Sequence, residues 1–297
     1  MLLQAASAAA GSQQYPAAAL YVVATPIGNL ADLTLRAIHV LSLVDAVACE
    51  DTRHTAPLLR HLGLDKPLLA VHQHNEQASS GDVIARLARG ERVAYVSDAG
   101  TPAVSDPGAA LVAAVAASGR AVVAIPGASS AITAVSVAGD TVGSGFRFIG
   151  FLPARGNERA LALKALAVAV ETQVLFEAPH RIEALVSGLA EACGARIVTL
   201  CRELTKQFET VATLPAAALP GWLAGDANRL RGEFVLVVHA VAPSESADEA
   251  VRHDVVLQTL LAELPLKQAV SLAAALSGAP RNALYARALE LKGRAAD

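Results

Sequence analysis

Ser97-Asp98-Ala99-Gly100-Thr101-Pro102-Ala103-Val104-Ser105-Asp106-Pro107-Gly108 follows an apolar, strand-like run at residues 92–96 and precedes a helical pattern at residues 109–118. A strand that passes into a helix through two Gly, two Pro and two Asp points to an α/β sheet whose carboxyl edge carries a ligand. Gly lets the backbone approach a ligand, Pro fixes the path of the chain, and Asp offers a carboxylate to hydroxyl groups. Asp106, close ahead of the helical pattern, is expected to cap that helix. Capping does not account for Asp98.

The same rhythm extends outward in both directions. Residues 20–24 read as a strand followed by a turn at Thr25-Pro26-Ile27-Gly28-Asn29, and Asp32 is placed to cap a helix bearing Leu33, Ala37, Ile38 and Leu41 on one face. Residues 44–49 form the next strand, and residues 54–62 a helix stopped by Gly63. Further short strands fall at 68–71, 93–96 and 122–125, separated by helical segments. This alternation predicts crossover units and a mostly parallel sheet. Past Gly143-Ser144-Gly145 a second α/β block begins, with strands at 146–151, 173–176, 197–200 and 234–238, a possible extra strand at 208–212, and helices at about 156–169 and 180–192.

The ends differ from this pattern. Residues 1–18, rich in Ala, Ser and Gln and without a basic leader, read as a disordered extension. Residues 243–264 carry a net charge of −4, whereas 265–297 carry +3. Helices near 249–263, 267–277 and 281–292, the last two parted by Gly278 and Pro280, make this a small helical appendage. The expected division is therefore 1–18, 19–143, 144–242 and 243–297.

Composition narrows the function. Aromatic residues are 4% of the chain, too few for a base-stacking RNA module, and a net charge of −3 gives no global basic field. Any RNA contact must use local patches. Cys49, Cys193 and Cys201 lack metal-type spacing or a disulfide framework, which fits a reducing cytosol. The longest uncharged stretch, 121–139, is interrupted by Pro126, Gly127, Ser129, Ser130 and Thr133, so no membrane span is expected. The turn Ala24-Thr25-Pro26-Ile27-Gly28-Asn29-Leu30 stands where a nucleotide-binding glycine loop would stand, but it is not G-x-G-x-x-G and Pro26 removes an amide donor. His72-Gln73-His74 supplies two metal ligands without a third, so no metal is expected.

Four more strand ends concentrate polar chemistry. Pro126-Gly127-Ala128-Ser129-Ser130-Ala131 combines small residues with hydroxyl donors that either meet a ligand or cap a helix. Cys49-Glu50-Asp51-Thr52-Arg53-His54 sets acids beside an Arg and a His. Phe176-Glu177-Ala178-Pro179-His180-Arg181 and Cys201-Arg202-Glu203-Leu204-Thr205-Lys206 each mix cations with acids; Arg202 and Lys206 either grip phosphate or form internal ion pairs. Gly232-Glu233-Phe234-Val235-Leu236-Val237-Val238 reads as a closing core strand.

Taken in order, Thr25-Pro26-Ile27-Gly28-Asn29-Leu30, Glu50-Asp51-Thr52-Arg53, Ser97-Asp98-Ala99-Gly100-Thr101-Pro102, Pro126-Gly127-Ala128-Ser129-Ser130-Ala131, Glu177-Ala178-Pro179-His180-Arg181 and Arg202-Glu203-Leu204-Thr205-Lys206 resemble the tetrapyrrole methylase superfamily. Within it they resemble the branch that methylates cytidine ribose 2′-oxygens of 16S ribosomal RNA, and residues 264–285 resemble that branch's C-terminal extension. The resemblance implies a class III methyltransferase of two α/β domains, with S-adenosyl-L-methionine in the cleft between them, acting on the small ribosomal subunit as a cytoplasmic homodimer. Cofactor contacts carried over from relatives fall on Ile27, on Asp98 with Thr101, on Ser129 with Ser130, and near Phe176. Thr-Pro-Ile-Gly-Asn replaces the Gly-rich turn of tetrapyrrole-modifying relatives, and Asp-Ala-Gly-Thr-Pro replaces their Gly-Asp-Pro. Both departures favour the RNA-modifying branch.

A ribose hydroxyl is a poor nucleophile until its proton leaves, so a positioned acceptor is needed. Glu50, Asp51, His72 and Glu76 are the candidates by their place on loops of the first block. Arg53, Arg202 and Lys206, with Lys267 and Arg281 of the basic tail, are candidates for RNA phosphate contacts. Two other readings stay open: a C-methyltransferase acting on a precorrin-type tetrapyrrole, and a non-catalytic RNA-binding module on the same fold.

Overall fold

The structure, a computed structural model, describes residues 1–71, 76–242 and 245–294, with backbone alone at 76–78, 245–252, 290 and 292–294. It divides into two compact units, Met1–Ala240 and Val241–Asp297.

The first unit is α/β and, among the described residues, contains two five-stranded sheets. The chain starts with α1 (Leu2–Ala10) and runs through β1 (Ala19–Val23), a 3₁₀ turn at Leu30–Asp32, α2 (Leu35–Leu43), β2 (Ala46–Cys49), α3 (Thr52–His61) and β3 (Leu68–Ala70). It continues with α4 (Glu76–Ala88), β4 (Val93–Val96), α5 (Ala109–Ala117), β5 (Ala121–Ile125) and α6 (Ser130–Ala138). The first sheet has the order β3-β2-β4-β1-β5 and is parallel throughout. Side chains alternate across it. Tyr21, Val23, Val47, Cys49, Ala94 and Val96 face a core built with α1, α2 and α3, whereas Leu20, Ala48, Val93 and Tyr95 face Val83, Leu87, Leu111 and Val115 of α4 and α5. Helices on both faces are what a buried parallel sheet requires.

Three local expectations are corrected. Residues 2–10 are not disordered: they form α1, whose Ala6 is fully buried against the core that α2 shares. Alanine has the highest helix propensity and a small enough side chain to let two helices approach closely. Asp32 does not cap α2; Thr34 does, accepting from the Ala37 amide at 3.1 Å, while Asp32 lies in the 3₁₀ turn. Nor does Asp106 cap α5. The residue before that helix is Gly108, at φ 125°, where a side chain would run into the Tyr95 ring.

The second sheet follows from β6 (Phe146–Phe151), α7 (Gly156–Val168), β7 (Thr172–Glu177), α8 (Ile182–Cys193), β8 (Ile197–Arg202), β9 (Thr210–Pro215), α9 (Leu219–Ala224) and β10 (Phe234–Val238). Its order is β6-β7-β10-β8-β9; β6 and β7 are parallel and the other pairs antiparallel, so this sheet is mixed. One face packs on α7, α8 and α9. The other is covered by α6: Ala131, Ala134 and Ala138 lie against Val174, Cys201, Val235 and Val237, joined by Ile27 from the first turn. The helix that sequence periodicity groups with the first block thus covers the second sheet.

Asp140 secures the connection after α6. Its Oδ1 accepts from the amides of Val142 and Gly143, and its Oδ2 accepts from Thr172 Oγ1 and the Ala240 amide. Burial alone would raise its pKa, but these hydrogen bonds outweigh it and hold the group at about 2.

The second unit consists of α10 (Glu245–Glu263), α11 (Leu266–Ser277) and α12 (Arg281–Arg294) around Leu257, Val270, Ala273, Leu284 and Ala288. Gly278, left-handed at φ 72°, ends α11, and Arg287 pairs with Asp254 at 2.6 Å. Among the described residues no helix is long and apolar enough to cross a membrane.

Asp140→Ala is expected to cost about 2 kcal/mol, because four donors lose one acceptor group. The carboxylate's pKa is depressed, so its stabilisation is present above pH ~4 and fades as pH falls toward about 2. Urea denaturation of both proteins across that range checks this: the stability gap narrows on acidification.

Candidate active site

Three strand-to-helix turns converge above the carboxyl edges of β1, β4 and β5. The first two are tied by an antiparallel backbone bridge: Thr25 N donates to Gly100 O at 2.9 Å, and Gly100 N donates to Thr25 O at 3.1 Å. Thr25 Oγ1 adds a bond to Ser97 O at 3.2 Å. Gly100 sits at φ 83°, and a Cβ there would come within 3.2 Å of Ile27 Cγ2. The third turn joins through Thr101 Oγ1, which donates to Ala128 O at 3.0 Å.

Beneath these turns lies a cavity of about 370 Å³, in the range of small-molecule sites. Ile27, Ala99, Asp106 and Ser130 line it from the first half of the unit, and Phe176, Glu177, Leu204 and Glu233 from the second. Phe148 and Phe151 meet the Phe176 ring edge-to-face, at centroid distances of 5.0 and 5.7 Å. A recess of about 70 Å³ adds Thr101 and Ser129 beside Ser130 and Phe176. A second crevice of about 580 Å³ is lined by Pro26, Gly28, His54, Pro57, His61 and Asp98. Ala99 and Glu233 border both large spaces. Of the expected cofactor residues, Ile27, Thr101, Ser129, Ser130 and Phe176 therefore gather around the cavity and its recess, whereas Asp98 faces the adjoining crevice.

Acidic groups crowd the edge of the first sheet. Asp98 accepts from the Asp51 amide at 3.2 Å and pairs with His54 Nδ1 at 2.8 Å. The hydrogen bond and charge of Asp98 raise the His54 pKa. Asp51 caps α3 through the Arg53 amide and pairs with the Arg53 guanidinium at 2.6 Å, which draws its pKa down to about 2. A carboxylate held so firmly in its charged form is a poor proton acceptor. Half-buried Glu50 differs: burial, then the charges of Asp106, Asp98 and Asp51, push its pKa up. Burial does the same for Asp106, against a hydrogen bond from Ser97. His72 lies outside the described residues, and Glu76 is described only as the first residue of α4.

In the second half, Glu177 ends β7 with 2% exposure. It pairs with Arg181 Nε at 2.9 Å and lies 3.6 Å from Arg159 Nη1, and its Oε2 has no hydrogen-bond partner. Arg202 does not reach solvent to grip phosphate. It is buried, with Nε donating to Arg231 O at 2.6 Å and Nη1 to Phe208 O at 3.0 Å, satisfying carbonyls that no strand pairs. Lys206 is committed as well: its Nζ bridges Glu203 and Glu233 at 2.9 Å each, and its stem lies over Gly28. Arg53, by contrast, is 87% exposed, and Lys267 and Arg281 are exposed on the second unit.

Residues 19–220 match the family described as Tetrapyrrole (Corrin/Porphyrin) Methylases, and residues 246–292 match the RsmI C-terminal HTH domain. The chain belongs to the tetrapyrrole methylase family. This methylase is 46% identical over 283 residues to ribosomal RNA small subunit methyltransferase I of Pseudomonas aeruginosa, a match covering 94% of this chain and 99% of that protein. It is likewise 46% identical over 268 residues to the protein of that name from Xylella fastidiosa, covering 90% and 97%. Among solved structures, uroporphyrin-III-C-methyltransferase from Thermus thermophilus shares its fold at a TM-score of 0.53 and 23% identity, over 75% of this chain and 94% of that one. A Thermus thermophilus uroporphyrin-III C-methyl transferase complexed with S-adenyl homocysteine has a TM-score of 0.52 at 16% identity, over 74% of this chain and 96% of that one.

Three residues that border these spaces are not among the expected site residues. Asp106 reads from the sequence as a helix cap and Glu233 as part of a core strand, yet both line the cavity. His54 stood in a charged cluster without a role, yet its position three residues after the α3 cap at Asp51 was a usable signal, because the first turn of a helix projects toward the edge of the sheet. Asp98→Asn is expected to lower the His54 titration midpoint, since the charged partner that favours the imidazolium is gone. The His54–Asp98 attraction operates below that midpoint and is lost as pH rises through it. Proton NMR of the imidazole signals reads this directly; an unmoved midpoint would contradict the pairing.

Proposed function

We propose that this methylase transfers the methyl group of S-adenosyl-L-methionine to the 2′-hydroxyl of a cytidine in 16S ribosomal RNA of the small subunit. The observation that carries this reading is the pair of spaces that meet at Ala99 and Glu233, one suited to a nucleoside-sized cofactor and the other to an acceptor. Relatives named for the ribosomal RNA reaction match more than nine-tenths of the chain in the Pseudomonas case, whereas the tetrapyrrole enzyme matches three-quarters.

The lining of the cavity fits the cofactor. It includes Asp106, Glu177 and Glu233 but no Lys, Arg or His among the described lining residues, which suits a cationic ligand. Phe176 and Ile27 offer apolar walls, and Ser129, Ser130 and Thr101 offer hydroxyls; these residues would hold it, while Asp98 borders the crevice given to the acceptor. The bound cofactor supplies an activated methyl group. The protein's contribution is orientation, since fixing acceptor and donor in line removes much of the barrier. The proton of the acceptor hydroxyl has to leave; Glu50 has its affinity for protons raised and Asp51 lowered, and neither is among the described lining residues of the two spaces.

Arg53, Lys267 and Arg281 remain candidates for phosphate contact. A homodimer would cover Ile132, Val137, Val142 and Phe146, apolar side chains exposed on and after α6. Cytoplasmic location accords with three free cysteines, two of them buried.

Incubation with methyl-labelled cofactor and unmethylated small subunits is expected to label one cytidine of the 16S RNA at its ribose, located by nuclease mapping. Label on a base, or none, counts against the reading. Removal of residues 243–297, a separate compact unit apart from its first two residues, is expected to reduce RNA methylation more than cofactor affinity. Equal loss of both would make the appendage a folding element.

A further inference from the structure

We propose that Asp106 makes the cofactor cavity select by charge, favouring the sulfonium form of the ligand over the neutral thioether left after methyl transfer. The inference rests on the S-adenosylmethionine reading above. Three carboxylates line the cavity, and two of them are compensated. Glu177 has Arg181 at 2.9 Å and Arg159 at 3.6 Å, and Glu233 has Lys206 at 2.9 Å. Asp106 has no ion-pair partner among the described residues. Its neighbours are the Ser97 hydroxyl and further acids, Asp98 and Glu50, and the Asp98 charge is already engaged by His54.

A half-buried, uncompensated carboxylate is costly in isolation, and burial accordingly raises its affinity for a proton. A ligand cation entering the cavity would provide the missing partner. Asp106 is well placed for this, since it borders both the main cavity and the recess, as Ser130 and Phe176 do. On the same wall Glu177 Oε2 lacks a hydrogen-bond donor, but Arg159 Nη1 at 3.6 Å balances its charge, which leaves Asp106 as the uncompensated group. No lining cation among the described residues would offset these charges by repelling the ligand.

Methyl transfer breaks the bond from sulfur to the methyl carbon and leaves the electron pair on sulfur. The new bond forms at the acceptor oxygen, whose proton departs. The ligand therefore loses one positive charge at sulfur while its shape changes by a single methyl group. Shape alone discriminates weakly between the two forms. An uncompensated carboxylate discriminates by charge and weakens the hold on the spent ligand as soon as transfer is complete.

The test is calorimetric titration of the full-length protein with S-adenosylmethionine, S-adenosylhomocysteine and sinefungin, in which an amine-bearing carbon replaces the sulfonium. The wild-type protein is expected to bind both cationic ligands about tenfold more tightly than the thioether, a modest return for a partly solvated charge pair. Asp106→Asn is expected to bring the three affinities together while that for S-adenosylhomocysteine stays near its wild-type level, which also shows that the variant is folded. Wild-type protein that binds the thioether as tightly as the cations overturns the inference without any variant. So does an Asp106→Asn protein that keeps the wild-type ratio. Failure of the wild-type protein to bind any of the three would instead overturn the cofactor reading itself.

Discussion

The backbone bridge between Thr25 and Gly100 governs the geometry of the site. β1 and β4 are parallel neighbours, and the turns that leave them lead to different helices. Two reciprocal hydrogen bonds, at 2.9 and 3.1 Å, hold those turns together, so that Ile27 and Ala99 line one cavity. Each bond contributes only about 1 kcal/mol net, but an unmade pair in this enclosed position would cost more. Gly100 is required because the chain must turn back at positive φ while lying against Ile27.

The second constraint is α6. Its alanines let the helix lie close on the second sheet, and Ile27 enters the same apolar cluster from the first turn. A cavity wall drawn from two sheets is thereby anchored in one continuous core. Asp140, immediately after this helix, fastens the start of β7 and the chain beyond β10 to the same point. The Phe176 and Glu233 sides of the cavity are thus positioned relative to Ile27 and Ser130 by packing and hydrogen bonding together.

Much of this was legible in the sequence, for identifiable reasons. The strands of the first sheet are short apolar runs followed by turns that carry Gly, Pro and polar residues, and the runs at 93–96 and 146–151 coincide with β4 and β6. Ile27, Ser130 and Phe176 follow from the resemblance to the family, and each lies after or at the end of a strand, where an α/β sheet exposes its loops. Pairing direction was not legible: the run Phe234-Val235-Leu236-Val237-Val238 is uniformly apolar and reads alike in either orientation, yet it is antiparallel to both neighbours. Charges misled where their partners are remote. Arg202 resembles a phosphate ligand until the carbonyls of Phe208 and Arg231 are seen around it, and Lys206 until Glu233 is. Helix caps were misassigned because Asp, Asn, Ser and Thr all serve, and the choice at Gly108 was settled by Tyr95, distant in sequence.

The strand order of the second sheet bears on how the protein is made. β10 lies at its centre, between β7 and β8, although it is the last strand synthesised. Until residues 234–238 leave the ribosome, both neighbours present open edges toward one another with nothing between them. Glu233, Phe234 and Val235 also belong to the cavity wall. A nascent chain therefore cannot complete the wall of this cavity before its last strand is in place, and the cavity takes shape together with the sheet.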